Sequence, residues 1–283
     1  MPNMAIALAL FSSILWGSAD FEGGRLAKRF PSIAVTGASQ GIGLLFGVVI
    51  VLLTGAWRVP ETLSRGFILY GILAGIFGYI GLVCLYSGLA TGRMGVVSPI
   101  SSLCAIIPLT IALVGGESLS TANIIGVVIA LLGAFCASGP EISQGLPLKP
   151  LLYAVGALFG FGLSLSFMAK GSASSALLTM VFMRVATLII SSTFALRHKS
   201  IGGFTKPKDF LALAFIGISD FSANVLIGIA STKGLVSIVM VLGSLFPIMT
   251  AVLAFRILKE RLHYIQYAGI VFAILGVAII SAA

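Results

Sequence analysis

The fold turns on VTGASQGIG, residues 35–43. Taken alone, T-G-x-x-x-G-x-G is the pattern of a dinucleotide-binding loop, whose glycines let backbone N–H groups approach a pyrophosphate at a helix start. Such a loop needs a strand before it, an amphipathic helix after it and a soluble domain around it. The next residues, LLFGVVIVLLTGAW at 44–57, are apolar on every face.

The Tyr-x-x-x-Lys pair that accompanies this loop in short-chain dehydrogenases is also missing, since no tyrosine has a lysine four residues on. The physical alternative is helix packing in lipid. Gly37 and Gly41, then Gly43 and Gly47, are G-x-x-x-G spacings that let helices approach closely. The spacing recurs at Gly71 and Gly75 and at Gly156 and Gly160.

Composition agrees. Of 283 residues 59% are hydrophobic and 9% charged, and the mean hydropathy is +1.16, whereas a soluble domain carries roughly 25% charged residues. The net charge of +9 comes from scattered Lys and Arg that form no aromatic-interleaved patch, so no nucleic acid is expected as a partner. Cys84, Cys104 and Cys136 lie apart in apolar stretches, which suits neither a disulfide framework nor zinc. His198 and His263 fall in expected loops without metal-ligand spacing, so no metal and no cofactor is predicted.

A bilayer-spanning helix needs ~20 mostly apolar residues. Ten such runs are expected, near 4–20, 33–55, 66–89, 94–114, 122–139, 150–169, 174–195, 209–230, 234–256 and 264–282, with FEGGRLAKRFPS and LRHKSIGGFTKPKD as the longest loops. The fold class is therefore an all-α integral membrane protein, multi-pass in a lipid bilayer. The chain is also duplicated. ESLSTANIIGVVIALLGAF from Glu117 matches ERLHYIQYAGIVFAILGVA from Glu260 through E-x-L-x(6)-G and a later L-G, and Gly95 precedes Pro108 by the same 13 residues that separate Gly234 from Pro247. From proline to glutamate the first copy is about one helical turn shorter. Residues 1–140 form the first five-helix repeat and 150–283 the second. Five is odd, so the second copy enters the membrane inverted, an architecture of alternating-access transporters with a midplane site. Odd-numbered connections hold twelve of the 17 Lys and Arg, against Arg58, Arg65, Lys170 and Lys233 in even ones. This bias places odd connections in the cytoplasm and both termini outside.

ILWGSADF at residues 14–21, the Gly-to-Pro helices and the two E-x-L-x(6)-G segments resemble the ten-helix exporters of the drug/metabolite transporter superfamily, EamA type. The resemblance implies export of amino acids or other small metabolites across the plasma membrane, the inner one in bacteria. It also implies a central cavity lined mainly by helices one, three, four, six, eight and nine.

Residues that could carry transport stand out by their cost in lipid. Asp220 lies near the centre of the eighth expected helix, where a charge costs ~2.5–3.5 kcal/mol. Two readings stand: a carboxylate that titrates or meets a solute ammonium group, or half of a structural ion pair with Arg184. Arg184 in turn is either a carboxylate clamp or a packing partner, and Gln40 is its approximate counterpart in the first copy. Asn224, one turn after Asp220 on the same face, is a candidate co-ligand. Trp16, Tyr79, Tyr86 and Phe161 are candidate aromatic walls, Tyr79 lying at a depth similar to Asp220. Ser98 and Ser237 begin equivalent helices, where N–H groups favour anions, and Ser102 and Ser244 lie deeper as candidate solute ligands. Pro108 and Pro247 are expected to kink their helices and free carbonyls, which would suit gating. Glu117 and Glu260 are expected as helix-end charges.

The leading function is a secondary transporter exporting an amino acid or related zwitterion, driven by proton exchange or by the solute gradient, with a cationic-drug exporter as the alternative. No ATP-binding motif is present, and the paired acids, His cluster or Ser/Lys pair of an intramembrane enzyme are missing. Packing glycines serve internal contacts and a homodimer equally well.

Overall fold

The structure is a computed structural model that describes residues 2–59, 64–91, 94–139, 148–198, 202–259 and 262–283. All of its regular elements are helices: α1 (Pro2–Ala27), α2 (Ser32–Thr54), α3 (Gly66–Ala90), α4 (Met94–Ser102), α5 (Ile106–Val114), α6 (Thr121–Ala137), α7 (Leu148–His198), α8 (Pro207–Ser231), α9 (Val236–Gly243), α10 (Phe246–Ile257) and α11 (Tyr264–Ala282). Helices are what an apolar solvent permits, because they satisfy every backbone N–H and C=O within the segment. Eight helical stretches among the described residues are long and apolar enough to cross a membrane, and α6 is a shorter apolar helix.

Three departures from the expected helices matter. First, α1 continues through Ala27 instead of ending near residue 20. Glu22 and Arg25, which look like loop charges, pair with each other at 2.7 Å along the helix, and Gly23 packs directly on the Tyr86 ring of α3. Asp20 is thereby carried into the bundle. Second, α7 holds both the sixth and seventh expected helices. A straight 51-residue helix would run ~76 Å, over twice the ~30 Å hydrocarbon core. It turns at Ser175, whose backbone is extended (φ −160°, ψ 112°) and whose Oγ accepts the Leu178 N–H at 3.4 Å, an N-cap for the second arm. Both arms lie along α3: a Cβ on Gly78 would sit 2.9 Å from Ser164 of the first arm and 3.1 Å from Met183 of the second. The expected connection near 170–173 is therefore helix, and one serine takes the place of a loop.

Third, the proline helices are interrupted rather than merely kinked. Pro108 and Pro247 have no N–H, so the carbonyls of Cys104 and Gly243 lose their usual partners. Between α4 and α5 the chain tightens into a 3-10 turn, Leu103–Ala105. Between α9 and α10, the Ser244 N–H is shared by the Met240 and Val241 carbonyls at 3.0 and 3.1 Å, and Leu245 donates three residues back, to Leu242, at 3.3 Å. From its proline, α10 runs to Ile257 and α5 only to Val114, one turn less.

The glycines of residues 35–47 do pack helices. A Cβ on Gly43 would lie 2.9 Å from the Gly217 carbonyl of α8, and one on Gly47 would lie 2.5 Å from the Phe221 ring. Gly37 meets Ser191 of α7, while Gly41 has only ordinary contact, with Leu188. The duplicated segments pack on each other. Gly126 of α6 faces Gly276 and Ile280 of α11, and Gly133 faces Gly269 and Ala273, so these two equivalent helices run antiparallel.

Candidate functional site

Asp220 is the centre of a buried polar knot joining four helical segments. Its Oδ2 accepts from Arg184 Nη2 on the second arm of α7 and from Gln40 Nε2 on α2, both at 2.8 Å. Its Oδ1 accepts from Trp16 Nε1 of α1 and from Asn224 Nδ2 one turn along α8, both at 3.1 Å. The Asn224 amide also donates to the Asp220 carbonyl. Four donors and one full countercharge answer the two oxygens, which is what an ion pair in a low dielectric requires. Gln40 and Arg184, approximate counterparts in the two copies, converge on the same oxygen. Arg184 is fully buried, its guanidinium 5.8 Å from the Phe221 ring centroid, and its Nε and Nη1 find no protein acceptor among the described residues.

Beside this knot lies a narrow cavity of about 50 Å³, below the ~300–1,000 Å³ of fully formed small-molecule pockets. Both copies line it: Trp16 and Asp20 of α1, Gly78 and Leu82 of α3 and Cys104 from one side; Phe161, Ser164 and Leu165, Met183, Asp220, Asn224, Ser244 and Phe246 from the other. Cys104 and Ser244 come from the two helix interruptions, so the breaks at the prolines open onto the cavity. The Ser164 hydroxyl donates to the Ala74 carbonyl at 2.8 Å and the Ser244 hydroxyl to Val241 at 2.8 Å. Among the described residues, no Lys, Arg or His lines the cavity.

Of the expected site residues, Trp16, Phe161, Asp220, Asn224 and Ser244 line the cavity. Tyr79 does not. Gly78 occupies the facing position on α3 and the next residue points ~100° away, leaving Tyr79 buried with a hydroxyl that has no partner among the described residues. Ser102 is also buried outside the lining, its hydroxyl bonded back to the Pro99 carbonyl at 2.7 Å. Tyr86 is buried between α3 and α1.

Two acids carry more than their sequence context indicated. Asp20 lines the cavity one turn after Trp16, is 8% exposed, and accepts no hydrogen bond from any described residue. A second cavity, about 80 Å³, meets the first at Asp20 and Phe246 and reaches the helix ends at Leu89, Ser138, Leu258 and Gln266. Glu117, expected as a surface charge, reaches from the first copy to the second. Its carboxylate accepts from the Val236 N–H at 2.9 Å, the Ser237 N–H at 3.1 Å and the Ser237 hydroxyl at 2.6 Å. The anion favoured at that helix start is thus the protein's own. Glu260, its sequence counterpart, lies outside the described residues.

The chain is similar to a solved crystal structure of a protein at 17% identity, with a TM-score of 0.77 over 98% of this chain and 96% of that one, a likeness of fold. No curated protein matches it. The EamA-like transporter family matches residues 3–139 and again residues 148–282, once for each half of the duplication. The chain belongs to the EamA-like transporter family, as a multi-pass membrane protein of two repeats.

Proposed function

We propose that the chain is a secondary transporter of ten membrane passages, built as two inverted five-helix repeats, that exports a small organic solute from the cytoplasm by alternating access. The observation that carries this reading is the cavity beside Asp220, lined from both repeats and by both proline interruptions. Two further facts support it. Equivalent helices α6 and α11 pack antiparallel, as inverted copies would, and α7 folds into two arms at Ser175, which this reading takes as the sixth and seventh passages.

In this reading the interruptions at Pro108 and Pro247 are where α4–α5 and α9–α10 bend as the halves rock, and the Glu117 cap holds the halves together at one face. The solute gradient, or exchange for a proton, drives export. The expectation of a bacterial inner-membrane setting with both termini outside goes with it.

The lining chemistry favours the cationic alternative over a zwitterion. A solute carboxylate would need a free cation or open N–H donors, yet Arg184 is sealed behind Asp220, and the lining side-chain N–H groups of Trp16 and Asn224 are already engaged. The test is counterflow into proteoliposomes holding the purified full chain, preloaded in turn with amines, amino acids and neutral analogues. Saturable uptake of one class above protein-free liposomes is expected. Uptake equal to that of protein-free liposomes for every class overturns the reading.

A further inference from the structure

We infer that Asp20 is the cation-binding carboxylate of the cavity, and that the solute therefore presents a primary or otherwise protonated amine beside an apolar body. The inference rests on the cavity being the transport site. The two acids that reach it differ in what they have left to offer. Asp220 is occupied by Arg184, Gln40, Trp16 and Asn224, and displacing these would strand a buried guanidinium. Asp20 has no hydrogen-bond or ion-pair partner among the described residues, although it sits inside a membrane helix where an uncompensated acid costs ~2.5–3.5 kcal/mol.

The surroundings of Asp20 select for a cation. Among the described residues, no Lys, Arg or His lines either cavity that touches it. The serine hydroxyls in the central lining donate to backbone carbonyls, so they turn lone pairs, and not hydrogens, toward an ammonium group. Trp16 and Phe161 offer ring surfaces for a cation or for an aromatic body. Leu82, Leu165 and Met183 complete a wall that suits hydrocarbon. Position matters as much as chemistry. Asp20 and Phe246 form the partition between the central cavity and the one that runs to the helix ends. A carboxylate there can be approached from either side by a cation whose other contacts change.

The test is equilibrium binding of labelled phenethylamine to the purified full chain in detergent, with L-phenylalanine and 2-phenylethanol as competitors. The three share a phenyl body and differ in charge. Phenethylamine should bind, and Asp20→Asn should weaken it by roughly tenfold or more, the scale of one charge-assisted contact, with Asp20→Glu recovering part of the loss. Neither competitor should displace it at concentrations where unlabelled amine does. Asp20→Asn should melt within a few degrees of wild type, which separates lost binding from lost folding.

Absence of amine binding to the wild type, unchanged binding in Asp20→Asn, or displacement by L-phenylalanine as effective as by the amine overturns the assignment. Failure of the transporter reading looks different. Amine bound at Asp20 without counterflow in proteoliposomes would leave the site and remove the function, whereas counterflow unaffected by Asp20→Asn would do the reverse.

Discussion

Asp220 and Asp20 sit on neighbouring antiparallel helices, α8 and α1, and line one cavity, yet their surroundings are opposite. Asp220 is met by four side-chain donors from four helical segments; Asp20, one turn from Trp16, has none among the described residues. Acids inside a membrane can be sorted by this contrast. A carboxylate surrounded by donors is a fastener, because its solvation has been replaced by the fold. One left open on a cavity wall has its partner still to come.

The largest effect is expected from opening the fastener. Asp220→Asn leaves Arg184 buried without a countercharge, a change that costs about 3–5 kcal/mol where buried pairs have been split. A lowered thermal midpoint and loss of monodispersity in detergent are expected, with Arg184→Gln in the same chain restoring part of both. An Asp220→Asn protein as stable as wild type would make the knot dispensable and Asp220 a candidate ligand again.

Asp20→Asn should do the converse, abolishing amine counterflow while the midpoint stays within a few degrees. Glu117→Gln tests the contact between repeats. It removes a charge from the start of α9 but keeps a hydrogen-bond acceptor, so about 1 kcal/mol of stability should be lost, read as a small fall in thermal midpoint that high salt diminishes. The smallest effect is expected of Tyr79→Phe. Its hydroxyl has no partner among the described residues and lies outside the cavity lining, so counterflow and midpoint should both stay at wild-type values.

Much of the architecture is written in the sequence. Apolar runs, the G-x-x-x-G spacings and the repeated Gly-to-Pro and E-x-L-x(6)-G segments point to a duplicated membrane bundle, and Asp220 declares itself by being an acid in the middle of a long apolar run. Asp20 does not. Its neighbours Glu22, Gly23, Gly24 and Arg25 end the apolar run, so the helix is expected to stop there. The structure shows otherwise, through the tertiary contact of Gly23 with Tyr86 and the pairing of Glu22 with Arg25 along the helix.

Helical phase hid two more features. Tyr79 lies one residue away from Gly78, which lines the cavity, and Gln40 is legible as a polar position but not as a donor to an oxygen 180 residues away. The break between the sixth and seventh helices is legible in KGSASS, residues 170–175, but not that it is a single residue: the N-cap needs only the Ser175 side chain, and the close approach of Gly171 to Thr179 needs one missing Cβ.

Counterflow of labelled phenethylamine through wild-type and Asp20→Asn proteins, with thermal midpoints taken on the same preparations, puts the division of labour between the two acids to the test. The variant should lose counterflow while melting with the wild type. A variant that exchanges the amine at the wild-type rate would contradict it.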